Sequence, residues 1–185
     1  MDVRAGAHGE RRAIGLGVVF NAETTIGGQF REVIRPGAFD RFLEKAPNIL
    51  VTFNHDVAKV LGTTRSGTAV VTVTRDGVRY DVELASDDPD AIALQSKLQR
   101  RKVTGSSFTF VVPKGGDKWH LPATRNGLPL REIVQAEIYE LRPVTLPAYQ
   151  QTTAAVRDTA QRLRTPPNRV HWNRWYRAAE SLVKA

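Results

Sequence analysis

The sequence predicts one α+β domain, a compact mixed barrel or sandwich in which about seven short strands accompany a single well-marked internal helix. Three observations carry this. Short apolar runs recur between turn residues, as in Ile49 to Phe53 and Val103 to Val112. The pair Asp76-Gly77 joins two such runs, a strong hairpin signal. Ser86-Asp87-Asp88-Pro89 opens a helix, with Asp88 placed to cap it and Pro89 in its first turn. A chain of 185 residues, 41% hydrophobic and 25% charged, is long enough for one such core.

The elements follow in order. Ala13 to Phe20 reads as a first strand, and the glycines at 15 and 17 suggest a bend or a close backbone approach. Phe30 to Ile34 is a second, stopped by Pro36-Gly37. Ala38 to Lys45 places Phe39, Phe42 and Leu43 on one side of a short helix that Pro47 ends. Ile49 to Phe53 is a buried strand that delivers Asn54-His55-Asp56 at its end. Thr68 to Thr74 and Val78 to Leu84 form the hairpin, giving a β-meander. The helix after Asp88 runs to about Arg101 with Ala91, Leu94 and Leu98 inward. Val103 to Val112 is again a strand, residues 113–130 a long hairpin or mobile loop, and Glu132 to Leu141 a last strand closed by Pro143 and Pro147.

After Gln150 the composition changes. The net charge of +8 comes from 27 basic and 19 acidic side chains. Residues 151–185 hold Arg157, Arg162, Arg164, Arg169, Arg174, Arg177 and Lys184 against Asp158 and Glu180, so this short segment supplies most of the excess. It divides the chain into a body, residues 1–150, and a basic helical tail, residues 151–185, with helices expected at Thr153 to Leu163 and His171 to Val183. Such a tail suits nucleic acid or an acidic protein surface, or is simply solvated. Trp172, Trp175 and Tyr176 argue mildly for packing on something.

Several chemistries are excluded. Cysteine is absent, which removes disulfides, thiolate zinc sites and cysteine nucleophiles. The longest apolar runs, such as Phe108 to Val112, fall far short of the roughly 20 residues of a membrane helix. The first residues contain no apolar stretch like a signal peptide, so synthesis in the cytosol is expected. The near-balanced body also lacks the basic and aromatic strand pattern of a nucleic-acid barrel.

Two sites stand out. Phe53-Asn54-His55-Asp56 offers a base at a strand end, and Gly105-Ser106-Ser107-Phe108 offers a hydroxyl on an apolar strand. Alternation places Ser107, Thr109 and Val111 on one face and Ser106, Phe108 and Phe110 on the other. With the phenylalanines inward, Ser107 is expected to face outward and to be the serine offered to a substrate. Each piece also has a plain structural reading: a histidine capping a turn, serines opening a strand, a solvent-facing Glu140.

The order of four blocks decides between these readings. Glu32-Val33-Ile34-Arg35-Pro36-Gly37-Ala38-Phe39 precedes Phe53-Asn54-His55-Asp56 with Val60-Leu61-Gly62. Gly105-Ser106-Ser107-Phe108-Thr109-Phe110 comes next, then Ile138-Tyr139-Glu140-Leu141-Arg142-Pro143-Val144-Thr145-Leu146-Pro147-Ala148. Over roughly residues 13–153 this resembles the prohead serine proteases of tailed bacteriophages, capsid maturation enzymes related in fold to herpesvirus assemblin. The resemblance implies a mostly antiparallel β-barrel with flanking helices. It implies a serine endopeptidase with Ser107 as nucleophile, His55 as general base and Glu140 as the carboxylate that orients the imidazole.

Asp56 and Glu137 remain competing carboxylates, and Ser106 a rival nucleophile. The chain departs from the family pattern at Ser106, Thr109 and Arg142, where a bulky apolar residue, a glycine and a serine are usual. An arginine so close to Glu140 bears on its charge or on the acyl pocket. The implied substrates are the major capsid protein or its scaffold segment and the protease itself, with self-association inside the procapsid. The implied locations are the host cytoplasm at synthesis and then the procapsid interior, or the bacterial cytoplasm for a prophage copy. No cofactor or metal is implied. The alternative is a non-catalytic capsid assembly or scaffolding protein on the same fold.

Overall fold

The structure, a computed structural model, describes residues 11–122, 124 and 127–147 together with the backbone of residues 2–5. The tail after Gln150, with its two expected helices, lies outside the described residues. Among the described residues twelve strands build three four-stranded sheets, and two helices accompany them. The first sheet has the order β1 (Asp2–Ala5), β2 (Arg11–Val19), β8 (Gly77–Leu84), β7 (Ala69–Val73). The second runs β10 (Asp117–His120), β11 (Leu130–Ile133), β4 (Phe30–Ile34), β3 (Thr24–Ile26). The third runs β6 (Asp56–Thr63), β5 (Leu50–Phe53), β12 (Glu137–Val144), β9 (Gly105–Val111).

Pairing is mostly antiparallel, with β11 on β4 and β12 on β5 as the parallel exceptions. The sheets are open: among the described strands none closes into the expected barrel. The expected Glu132 to Leu141 strand is two strands in two sheets. Val134 N and Gln135 N both donate to Gly116 O, and Ala136 N donates to Ala38 O at 2.7 Å. These bonds draw the chain out of the second sheet after Ile133 and return it to the third at Glu137. The stretch expected as a hairpin or loop contains β10, which pairs antiparallel with β11.

The helices obey their sequence signals. In α2 (Pro89–Gln99) the Asp88 side chain accepts from Asp90 N at 2.8 Å, satisfying one of the amides that every helix start leaves unpaired. Its buried residues are Ala91, Leu94 and Leu98, one stripe at helical spacing. The expected helix at Ala38 to Lys45 is the single turn α1 (Asp40–Leu43).

One core unites the elements. Phe39, Tyr80, Leu94, Ile138 and Leu141 are all fully buried in it, and each such side chain contributes on the order of 1.5–3 kcal/mol of transfer free energy. The two glycines of β2 are notches for it. A Cβ on Gly15 would overlap the Tyr80 phenol, and one on Gly17 would overlap the Leu141 side chain. The close approach expected there fits the packing of β2 against β12 and β9. That contact holds the third sheet, which carries the site residues, against the first.

Candidate active site

β5 and β6 are joined by the two residues Asn54 and His55, with Phe53 paired to Asp56. Their φ angles are 54° and 65°, the left-handed values that a tight two-residue hairpin requires at both central positions. Asn and His enter this region more readily than most residues, yet it still costs on the order of 1 kcal/mol. The turn is held from the side. Asn54 N donates to Pro143 O at 3.0 Å, and Thr145 N makes a longer 3.4 Å contact with Asn54 Oδ1. His55 is thereby fixed beside the end of β12.

Register places the other groups. Arg142 pairs with Ser107 and Glu140 with Thr109 across β12 and β9, while Glu140 and Leu141 pair with Leu50 and Val51 of β5. Paired residues share a face, so one side of the sheet carries Thr52, Glu140, Arg142, Ser107 and Thr109. The opposite side carries Val51, Leu141 and Phe108, all in the core. A bulge at Tyr139 sets this phase, since Ile138 pairs with Phe110 but Glu140 with Thr109.

On this face Thr52, Ser107, Glu140 and Arg142 are buried, Thr109 is exposed, and the group is internally bonded. Thr52 Oγ1 donates to Glu140 Oε1 in a short bond, and Thr109 Oγ1 donates to Glu140 Oε2 at 3.2 Å. Arg142 Nη1 donates to Glu140 Oε2 at 2.6 Å and Nη2 to Thr109 Oγ1. Arg142 and Glu140 form an ion pair whose side chains are 8% and 9% exposed. Desolvation lowers the Arg142 pKa, and the neighbouring Glu140 opposes that shift.

Ser107 lies on the face opposite Phe108, as alternation requires, but it is not exposed: only 2% of its surface meets solvent. The expectation of an outward serine took the face away from the phenylalanines to be the wet one, whereas that face holds the buried ion pair. Ser106 is also buried, and its hydroxyl lies 3.0 Å from the Tyr80 phenol, whose pKa burial pushes up. Tyr80→Phe leaves Ser106 with a weaker set of partners and is expected to destabilise by about 1–3 kcal/mol in denaturant melts. Ser106→Ala is expected to leave labelling by a serine-directed fluorophosphonate intact. Loss of labelling in Ser106→Ala with the fold preserved would make Ser106 the nucleophile.

His55 is exposed at the turn, yet its pKa is pushed down to about 4. Desolvation against the sheet is the largest cause, the positive charge of Arg142 the second, and Glu140 opposes both. The imidazole is therefore neutral across the physiological range, the form that can accept a proton. Of the three carboxylates considered from sequence, Glu140 is the one whose charge acts on His55. Asp56 accepts from Ala58 N and lies 3.4 Å from Lys59 Nζ, and Glu137 accepts from the Tyr139 hydroxyl.

Sequence reasoning did not single out Thr52. The one signal was a hydroxyl residue in the otherwise apolar run Val51-Thr52-Phe53. Thr109 was visible as a departure but not as a partner of Glu140, whereas Arg142 was expected to act on the Glu140 charge or the acyl pocket and does pair with Glu140. Among the described residues no group of three or more His, Cys, Asp or Glu side chains is arranged to hold a metal ion, and no helix is long and apolar enough to cross a membrane.

The third sheet thus carries a buried serine and a carboxylate on neighbouring strands, with a histidine turn at the end of a third strand. Residues 1–165 match the family model of the caudovirus prohead serine proteases, and the chain belongs to that family. No curated protein and no solved structure matches it. Membership makes it a protein of the serine protease class with a role in prohead maturation.

Proposed function

We propose that the chain is a serine endopeptidase in which Ser107 is the nucleophile, His55 the general base and Glu140 the group that orients the imidazole. The supporting observation is that the His55 turn and the Ser107 strand flank β12 on either side, with Glu140 between them on the shared face. β5, which leads into the His55 turn, and β9, which carries Ser107, are two strand spacings apart, about 10 Å. Glu140 retains capacity for His55. A carboxylate accepts about four hydrogen bonds, and Thr52, Thr109 and Arg142 use three of them.

In the reaction, His55 takes the Ser107 proton as Oγ attacks the scissile carbonyl, then returns it to the leaving amine. Glu140 holds the ring and stabilises the imidazolium formed in between. Water repeats the sequence on the acyl-enzyme. The burial of Ser107 means that a substrate strand must displace its cover before attack. The substrates are the major capsid protein or its scaffold segment and the protease itself, cleaved within the procapsid, where the chain associates with other copies. The body, residues 1–150, carries the chemistry on a herpesvirus-protease-like arrangement, and the basic tail is a packaging or self-removed segment.

The test is the mass of the purified wild type and of Ser107→Ala, each also co-expressed with the capsid protein. A shortened wild type beside an intact variant, with capsid processing lost in the variant, is expected. Capsid processing that continues with Ser107→Ala overturns the reading.

A further inference from the structure

We propose that Arg142 is itself a catalytic residue: its Nε–H donates to the substrate carbonyl oxygen as negative charge develops there during attack by Ser107. This rests on the reading of Ser107 as nucleophile and adds the oxyanion donor to it.

Three observations converge on one atom. Arg142 is the cross-strand partner of Ser107, so the two side chains leave adjacent backbones on the same face. The guanidinium is buried with 8% of its side chain exposed, and its two terminal nitrogens are already committed to Glu140 and Thr109. Arg142 Nε is, among the described residues, the one buried side-chain nitrogen or oxygen without a hydrogen-bond partner. Native proteins rarely leave such a donor unmet, and exceptions call for a ligand or a catalytic role.

The planarity of the group sets its donors in a fixed fork. Since Nη1 and Nη2 together hold Glu140 and Thr109, the end of the fork is filled and Nε–H is the donor left over, on the residue that pairs with Ser107 of β9. The bonds to Glu140 and Thr109 lock the plane before any substrate arrives. A donor fixed in advance in a desolvated site is what stabilises an oxyanion best, because nothing has to reorient as the charge appears.

The step balances without a further reactant. The Ser107 Oγ–C bond forms as its proton passes to His55, and the carbonyl π pair moves onto oxygen. That oxygen accepts from Arg142 Nε–H. Collapse restores the carbonyl and breaks the C–N bond, with the amine taking the proton from His55. Arg142 stays protonated throughout, and its charge adds to desolvation in keeping the resting imidazole neutral.

The experiment uses the full chain and an alkyl fluorophosphonate, which phosphonylates an activated serine and places a phosphoryl oxygen where the oxyanion would be. Ser107→Ala must first abolish labelling; if it does not, the nucleophile reading fails and Arg142 is not at issue. With Ser107 as the labelled residue, Arg142→Gln and Arg142→Lys are expected to slow labelling about 10²–10³-fold, with lysine giving little rescue because it has no donor at the Nε position. Labelling at the wild-type rate in both variants overturns the proposal. Should either variant fold poorly, the wild type decides: the ¹⁵N-correlated Arg142 Nε–H proton resonance moves downfield on phosphonylation. An unmoved resonance in fully labelled protein overturns it equally.

Discussion

Replacing His55 with asparagine lowers the acylation rate at Ser107 on the order of 10⁵–10⁶-fold, the loss seen when one member of a cooperating nucleophile and base is removed. Asparagine is the informative choice over alanine. His55 sits at φ 65° in a two-residue turn, and alanine there adds about 1 kcal/mol of backbone strain, confusing a chemical loss with a folding loss. Asparagine tolerates the left-handed region and keeps the turn docked on Pro143, but it has no basic nitrogen. The unfolding midpoint of His55→Asn is therefore expected to stay near wild type while fluorophosphonate labelling disappears. Labelling that survives would remove His55 from the mechanism.

The same residue sets the pH dependence. A general base works in its deprotonated form, so the rate rises with pH through the His55 pKa and then levels. With that pKa pushed down to about 4, the acid limb of the labelling rate lies near pH 4 and not near the 6.5 of an ordinary imidazole. Activity persists at pH 5 to 6, where an unperturbed histidine would be mostly protonated. A weaker base takes the serine proton less readily, and the buried Arg142 is a direct source of that cost. Its return is the fixed positive charge beside the carbonyl that Ser107 attacks.

Local rules made much of this readable in advance. The Asp76-Gly77 hairpin, the Asp88 cap and the stripe Ala91, Leu94, Leu98 each depend on neighbours in sequence, and each is present. The third sheet was less legible because its assembly is non-local: β12 lies between β5 and β9, which are distant in the chain. The division of Glu132 to Leu141 into two strands depends on hydrogen bonds donated to the Gly116 and Ala38 carbonyls, partners that no periodicity reveals. At the site, alternation gave the correct face for Ser107. The burial of Ser107 was hidden because an ion pair in a strand reads as solvent-exposed charge until its partners, Thr52 and Thr109, are brought in from other strands.

Glu140→Ala is expected to be the most destabilising single change on this face. It leaves the Arg142 guanidinium buried without a counter-charge and takes the acceptor from Thr52 and Thr109 together. Removing one partner of a buried pair costs about 3–5 kcal/mol, which in a domain of this size lowers the melting temperature on the order of 10 °C. Replacing both partners, as in Glu140→Leu with Arg142→Met, removes the uncompensated charge as well, so most of that stability is expected to return. Activity is not expected to follow. The double variant has neither the group that orients His55 nor the proposed oxyanion donor, and an orienting carboxylate alone accounts for about 10⁴-fold in rate. Thermal melts and fluorophosphonate labelling on the single and double variants separate the two roles. If Glu140→Ala melts like wild type, the pair does not hold the sheet. If the restabilised double variant labels at the wild-type rate, the pair does not serve the chemistry.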